Sequence, residues 1–297
     1  MKLKSQGNRI VALDNQVNTE PSLIPKMPFS MIVSASKGGG KSTLILNMLL
    51  NNSFYNGKFN QIFWISPTAK LDSKTQVLKN TNGITTPNRP LITKINKEIM
   101  KQLRGDNTYP KKSITGDIED YGTQLININE IPTNIPEDHF IENIDLRFLE
   151  SLMESQKKVI AKFGKELADT ILIIFDDCIS DRFFKTPASF KYFLNSRHVK
   201  CSSIIATQMY HGIPKTLRLN CSAFVLFNTG NDKELKTIHE ENNCSIIFKD
   251  WIRIYKAVSM PQFGFLVINY MNPLEYRLQN QFLDFIDVSS VQKNIEF

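Results

Sequence analysis

Cysteine is scarce in this chain of 297 residues: there are four, and no two of them form a CxxC pair. Their spacing argues against a zinc site and against a disulfide scaffold, and a reducing intracellular setting is the simpler interpretation. The sequence also lacks any apolar run near the ~20 residues that a membrane-spanning helix needs. Its polar N-terminus has no apolar core of the signal-peptide type. We therefore expect neither a disulfide-rich secreted protein nor a transmembrane protein.

Acidic residues are absent from residues 182–231, although the whole chain has 29 of them. Residues 113–156 show the opposite bias, with many acidic side chains and Arg147 as their only basic one. The net charge of +7 allows a polyanionic partner without demanding one. The acid-free segment suggests a surface that faces phosphate, and drift in an Asn- and Lys-rich composition is the alternative. Its basic residues are Arg182, Lys185, Lys191, Arg197, Lys200, Lys215 and Arg218.

Glycine is also sparse, with 13 in the chain, yet three are consecutive at positions 38–40. Residues 35–42 fit the phosphate-binding loop G-x-x-x-x-G-K-[ST] except that Ala35 replaces the first glycine. Backbone N–H groups of such a loop and the following helix N-terminus bind phosphates, and glycine lets the chain curl around the anion. Lys41 is then expected on the β- and γ-phosphates, and Ser42 on Mg²⁺. A glycine-rich turn with a chance lysine is the alternative. The predicted nucleotide contacts are Ser36, Lys37, Gly38, Gly39, Gly40, Lys41, Ser42 and Thr43.

Polar side chains follow two further apolar runs. Asp176 and Asp177 end the first run, and Gln208 ends the second. Ligands of parallel sheets bind at the carboxyl ends of the strands, so these side chains are expected near the phosphates. We predict that Asp176 holds Mg²⁺, that Asp177 orients the attacking water, and that Gln208 senses the γ-phosphate. Helix-capping aspartates and an ordinary turn glutamine are the alternatives.

Phosphoryl transfer also needs positive charge on the transferred group, which a neighbouring subunit can supply as an arginine finger. Arg197 and Arg218 are the candidates. We favour Arg197 and expect it on the rim of the sheet's carboxyl edge, facing the next subunit. Arg218 is expected to contact DNA phosphate. For either arginine, the alternative to an arginine finger is a contact with DNA phosphate or a simple surface charge.

Continuous apolar runs alternate with amphipathic segments, which predicts an α/β fold with a mainly parallel sheet covered on both faces. We assign residues 1–27 to an arm, 28–277 to one domain with an irregular acidic insertion at about 104–144, and 278–297 to a tail. The predicted strands are Phe29–Val33, Gln61–Ser66, Thr170–Phe175, Ser202–Ala206, Ala223–Phe227 and Phe263–Ile268. The predicted helices are Lys41–Asn51, Lys94–Leu103, Asp145–Phe163, Ala188–Ser196, Lys233–Glu241 and Phe248–Val258.

The stretches SASKGGGKST, ILIIFDD and NSRHVKCSSIIATQMYHGIPKTLRLNCSAFVLF resemble the genome-packaging ATPases of poxviruses, other nucleocytoplasmic large DNA viruses and virophages. That family belongs to the FtsK–HerA superfamily of P-loop DNA translocases. The resemblance covers roughly residues 28–66 and 170–277. It departs from the family at Ala35, and at Asp177, where many members of the superfamily have Glu.

The resemblance implies a RecA-like P-loop NTPase that uses ATP and Mg²⁺ to pump double-stranded DNA into a preformed capsid. It also implies a homo-oligomeric ring of about five or six subunits, contacts with capsid or vertex proteins, and a place in the host cytoplasm, the virus factory or the virion. Three alternatives stay open: a cellular or plasmid HerA-type translocase or helicase, a nucleotide-dependent switch with little turnover, and a P-loop kinase of a small metabolite.

Overall fold

The computed structural model of the protein describes residues 20–70, Leu78 and residues 135–287. Three predicted features lie wholly or mostly outside these residues: the helix Lys94–Leu103, the insertion at 104–144 and the first 19 residues of the arm. Within the described ranges, no helix is both long and apolar enough to cross a membrane.

The described strands form one sheet with the order β3-β2-β4-β5-β1-β6-β7-β8-β9. The first six strands are β1 (Ser30–Ser34), β2 (Gln61–Ile65), β3 (Phe140–Ile141), β4 (Ile171–Asp176), β5 (Cys201–Thr207) and β6 (Ala223–Phe227), and all of them run parallel. The other three are β7 (Phe265–Asn269), β8 (Leu278–Asn280) and β9 (Asp284–Phe285). The predicted α/β fold with a mainly parallel sheet is confirmed.

Helices cover both faces of this sheet. They are α1 (Lys41–Leu50), α2 (Leu146–Phe163), α3 (Pro187–Ser196), α4 (Lys215–Arg218), α5 (Asp232–Asn242) and α6 (Phe248–Ser259). Successive residues of β4 alternate between two cores, with Ile173 in one and Ile174 in the other. Helix α1 packs into the core that contains Ile174, and the other five helices contribute to the core that contains Ile173. Burial on both faces explains why the central strands are mainly apolar, although β1 and β5 also bury serine and threonine residues.

Strand β7 differs from the prediction in direction and in its starting point. It begins at Phe265, two residues later than predicted, and pairs antiparallel with β6. Strands β8 and β9 continue the antiparallel end of the sheet. Phe263, predicted to begin this strand, lies instead in the turn before it, with a backbone φ of 61°.

Both ends of the described chain pack on this antiparallel end of the sheet. The Ser22 carbonyl accepts hydrogen bonds from the side chains of Asn269, Asn272 and Gln279. Strand β8 is paired along β7, so the segment after residue 277 extends the sheet where the sequence suggests a separate tail. These contacts attach both ends of the described chain to the antiparallel strands.

Candidate active site

The predicted phosphate-binding loop joins β1 to α1, which is the strand–loop–helix context that its motif requires. The loop is tied to β5 by a hydrogen bond from the Ala35 N–H to the Thr207 carbonyl oxygen, 3.1 Å away. Gly38 and Gly40 have φ values of 77° and 102°, which glycine adopts without the strain that a side chain brings. A Cβ on Gly39 would lie 3.0 Å from the Ser36 carbonyl oxygen. The run of three glycines is therefore required by the curl of the chain.

The N-terminus of α1 is open to an anion. Its first turn contains no acidic residue, and the described side chains give its N-cap, Gly40, no capping hydrogen bond. Asp145 caps α2 and Asn231 caps α5 through side-chain oxygens, whereas α3, α4 and α6 also have no side-chain cap. Exposed N–H groups and an uncompensated helix dipole favour binding of a negative group such as phosphate.

Lys41 lies at the base of this loop and is largely buried. Its ammonium Nζ is 3.3 Å from the Ala35 carbonyl oxygen and 3.6 Å from the Asp177 Oδ1 atom, with the Lys41 side chain only 7% exposed. A buried ammonium held by one carbonyl and one half-exposed carboxylate can turn toward a phosphate that enters the loop. Its position fits the predicted contact with the β- and γ-phosphates.

Asp176 and Asp177 lie at the carboxyl end of β4, as predicted, although β4 is not the neighbour of β1. Strand β5 lies between β4 and β1. Asp176 of β4 pairs in register with Ala206 of β5. Asp176 is buried, whereas the Asp177 side chain is 44% exposed and its backbone has a φ of 52°. Positive φ is uncommon outside glycine and is often found at functional sites. The two carboxylates are thus held in different environments, which suits two different roles.

Gln208 follows β5 and contacts the second aspartate. Its Nε2 group donates a hydrogen bond to Asp177 Oδ2 over 3.2 Å, and the other Asp177 oxygen faces Lys41. The three predicted elements therefore meet at one point through Lys41, Asp177 and Gln208. An amide that contacts this carboxylate can change partner when a phosphate arrives.

The donor set fits a magnesium ion carried by a nucleotide. Ser42 at the start of α1 and Asp176 offer hard oxygen atoms, which Mg²⁺ prefers. The described residues contain no group of three or more His, Cys, Asp or Glu side chains suited to hold a metal on their own. Because Mg²⁺ in nucleotide sites takes few protein ligands and completes its shell with phosphate and water, two protein oxygens suffice.

Arg197 lies at the opposite edge of the sheet from the loop. It is exposed and precedes β5, whereas Gln208 follows that strand. The seven residues of β5 separate the two by roughly 23 Å. The expectation that Arg197 lies on the carboxyl rim is wrong, because the chain enters β5 at its amino end. Arg197 is therefore too far from the phosphate-binding loop of its own chain to contact a nucleotide bound there.

Arg197 borders a groove of about 710 Å³ at this amino edge. His198, Lys165 and Arg218 also line it. Sequence reasoning did not find this groove, because its walls come from segments far apart in the chain.

Arg218 is a structural residue. Its side chain is 8% exposed, and its Nε and Nη2 atoms donate to the two carboxylate oxygens of Glu241 over 2.8 and 2.6 Å. Its guanidinium also lies 4.9 Å from the ring centre of Tyr210, whose hydroxyl donates to Glu241. The expected DNA contact of Arg218 is wrong, because its polar atoms face buried partners. Sequence reasoning missed this because Glu241 lies 23 residues away in another helix.

Replacing Arg218 with methionine is expected to lower the free energy of unfolding by about 3–5 kcal/mol, since Glu241 would keep an uncompensated buried charge. The double variant Arg218→Met with Glu241→Leu should recover much of that loss, because neither buried charge then remains. Urea denaturation of the single and double variants measures both values. If the single variant lost less than about 1 kcal/mol of its free energy of unfolding, the pair would contribute no more than an exposed surface ion pair, which would contradict this prediction.

The same pair predicts an acid-dependent loss of stability. Burial by itself raises the pKa of Glu241, but the hydrogen bonds from Arg218 and Tyr210 outweigh it and lower the pKa below its ordinary value of 4.5. Because the pKa of Glu241 is lower in the folded state, its ionisation stabilises the fold fully above pH 4.5, and this contribution is lost as the pH falls below 4.5 and through the folded-state pKa. The free energy of unfolding should therefore fall more steeply below that pH in the unaltered protein than in Glu241→Gln.

Two of three comparisons with known proteins find similar sequences or structures. The sequence model of the family described as Poxvirus A32 protein matches residues 133–262, a range that contains Asp176, Asp177, Arg197 and Gln208 but not the phosphate-binding loop. A comparison with curated proteins finds no match.

Solved structures with a similar chain path have low sequence identity. The genome packaging NTPase B204 of Sulfolobus turreted icosahedral virus 2, in complex with ATP-gammaS, is 16% identical with a TM-score of 0.46, covering 82% of this chain and 92% of that one. The DNA-packaging ATPase B204 of Sulfolobus turreted icosahedral virus is 16% identical with a TM-score of 0.43, covering 82% and 94%. EssC (ATPases 2 and 3) of Geobacillus thermodenitrificans is 14% identical with a TM-score of 0.38, covering 71% and 34%.

The family match covers two of the three motif stretches, those that contain Asp176-Asp177 and Gln208. It falls on the half of the chain that carries the aspartate pair and the glutamine. The resemblance of this chain to the poxvirus A32 protein, first indicated by its motifs, is confirmed over residues 133–262.

Proposed function

We propose that this protein is an ATPase that uses Mg²⁺ and ATP to move double-stranded DNA into a viral capsid. The observation that carries the proposal is the meeting of Lys41, Asp177 and Gln208 beside an uncapped helix N-terminus. This arrangement provides a phosphate cradle, a cation, a carboxylate for water and an amide that senses the phosphate.

In the proposed reaction, the loop N–H groups and the start of α1 bind the phosphates of ATP. Lys41 leaves Asp177 and moves onto the β- and γ-phosphates, where it stabilises the charge of the transition state. Ser42 and Asp176 are the residues that would hold Mg²⁺, which would neutralise phosphate charge when bound. Asp177, freed from Lys41, orients the water that attacks the γ-phosphate.

Gln208 connects hydrolysis to the rest of the domain in this proposal. Its side chain donates a hydrogen bond to Asp177, and two residues later Tyr210 contacts the buried Arg218–Glu241 pair. Loss of the γ-phosphate changes the partners of Gln208. The Tyr210 segment is then the part of the chain best placed to respond.

The DNA part of the proposal rests on the resemblance and on exposed charge. In the acid-free segment, Arg182, Lys185, Lys191, Arg197 and Lys215 are exposed. Such side chains bind phosphate without regard to sequence and with strong salt dependence. A homo-oligomeric ring, in which Arg197 of one subunit serves the nucleotide of the next, agrees with the distance of Arg197 from its own loop. Capsid or vertex proteins would be further partners, in the host cytoplasm or virus factory.

The experiment that tests this function compares ATP hydrolysis with and without duplex DNA. A motor hydrolyses ATP faster when duplex DNA is present, because its hydrolysis is coupled to movement along the DNA. A nucleotide-dependent switch shows a low rate that DNA does not change. A small-metabolite kinase transfers the phosphoryl group to its acceptor and also ignores DNA.

A further inference from the structure

The predicted site residues mark only one end of the bound nucleotide. Asp176, Asp177 and Gln208 all lie on the β5 side of the phosphate-binding loop, where the γ-phosphate must be. The nucleoside is joined to the other end of the phosphate chain. It is therefore expected on the other side of β1, where β6 is the neighbouring strand.

An aromatic residue stands beside the loop on that side. A Cβ built on Gly40 would lie 3.3 Å from Phe263 Cδ1 and 3.6 Å from Phe227 Cε1, so both rings border the loop. Phe227 is the buried last residue of β6 and packs on Phe265 with ring centres 4.9 Å apart. Phe263 differs, since it is 59% exposed. Phe227 is thus a buried neighbour of the loop, whereas more than half of the Phe263 surface is exposed.

The backbone holds Phe263 in an unfavourable conformation. Its φ is 61°, a left-handed value that is rare for a bulky side chain and that recurs at ligand clamps and active sites. The turn is closed by a hydrogen bond from the Gly264 N–H to the Pro261 carbonyl oxygen, 2.8 Å away. A Cβ on Gly264 would lie 2.3 Å from the Val258 carbonyl oxygen. The tight turn therefore fixes Phe263 in an exposed position that packing alone does not explain.

We infer that Phe263 is the stacking platform for the nucleotide base. This inference rests on the proposed function, because it assumes that the loop binds the phosphates of ATP. A phenyl ring stacks on the face of any base and offers no hydrogen bonds to its edge. Phe263 accordingly strengthens nucleotide binding in general and contributes little to the choice between adenine and guanine.

The test measures affinities for three probes: ATP, GTP and inorganic tripolyphosphate, which has the phosphates without the base. Replacing Phe263 with alanine should weaken the binding of ATP and of GTP by about tenfold or more, the range of base–aromatic stacking. Its affinity for tripolyphosphate should stay unchanged, which also shows that the loop is still folded. Phe263→Trp should bind both nucleotides as tightly as the unaltered protein.

Leu219→Ala is the matched control, since Leu219 is an apolar residue of similar exposure, 58%, at the opposite edge of the sheet. It should change none of the three affinities. An equal loss for ATP and tripolyphosphate in Phe263→Ala would overturn the inference, because Phe263 would then support Gly40 rather than the base. So would unchanged nucleotide affinity together with a changed oligomeric state, which would make Phe263 a subunit contact. If the unaltered protein binds neither ATP nor tripolyphosphate, the proposed function itself fails.

Discussion

Replacing Lys41 with alanine is expected to reduce ATP hydrolysis by about 10³-fold or more. Lys41 is the cation at the base of the loop, with its ammonium 3.6 Å from Asp177 and its side chain 7% exposed. In this low-dielectric position a positive charge stabilises the developing phosphate charge far better than water can. Its loss removes stabilisation from the transition state, and steady-state hydrolysis measures the effect.

Lys158→Ala is the control for the Lys41 substitution. Lys158 is a surface lysine on α2, 57% exposed and paired with Glu154 within the same helix. Its removal should leave hydrolysis unchanged, because an exposed ion pair of this kind contributes little. A Lys41→Ala variant that kept more than a tenth of the unaltered rate would refute the assignment of this loop as the phosphate site.

Replacing each of the two aspartates at the end of β4 with asparagine should affect ATP binding and ATP hydrolysis differently. Asp177→Asn is expected to bind Mg²⁺-ATP nearly as well as the unaltered protein but to hydrolyse it about 10²–10⁴-fold more slowly, since a group that orients water acts in the transition state. Its negative charge faces Lys41 and would oppose the phosphates, so its removal does not weaken binding. Asp176→Asn should instead lower the affinity for Mg²⁺-ATP.

Affinity and single-turnover hydrolysis, measured separately for each variant, resolve these roles. Asparagine keeps the size of the side chain and still accepts the hydrogen bond from Gln208 at position 177, so the fold of the site is preserved. Equal losses of nucleotide affinity in both variants would mean that the two carboxylates share the metal. The division of roles proposed here would then be incorrect.

The phosphate-binding loop could be predicted closely because its function constrains its own sequence. Helix α1 begins at Lys41 as predicted and ends at Leu50, one residue early. The positive φ values fall on Gly38 and Gly40, where the motif has glycine. The central strands could also be predicted, since a strand buried on both faces reads as a mainly apolar run. Local chemistry was sufficient for these elements.

Strand direction and long-range pairing could not be predicted from local sequence. An apolar run such as β7 has the same composition whether it lies parallel or antiparallel to its neighbour, and its direction depends on the connection through α6. The insertion of β5 between β1 and β4 is likewise a property of the whole chain. Asp177 lies close to Lys41 because all three strands end at one edge of the sheet.

The arginines show why side-chain roles were harder to predict than the loop. Arg218 and Arg197 both lie in the acid-free segment, so composition could not distinguish their roles. The structure separates them, because Glu241 arrives from α5 to bury Arg218 while Arg197 stays exposed. The position of Phe263 could not be predicted for a related reason, since a phenylalanine next to an apolar run is normally read as part of the strand. Its left-handed backbone depends on the turn closed by Gly264.

The rate of ATP hydrolysis at saturating Mg²⁺-ATP, measured with and without duplex DNA, tests the central claim most directly. The account predicts a rate that rises with duplex DNA, loses that rise as salt increases because phosphate contacts are screened, and disappears in Lys41→Ala. Measurable hydrolysis that depends on Lys41 but ignores duplex DNA at every salt concentration would contradict the claim that this protein is a DNA motor.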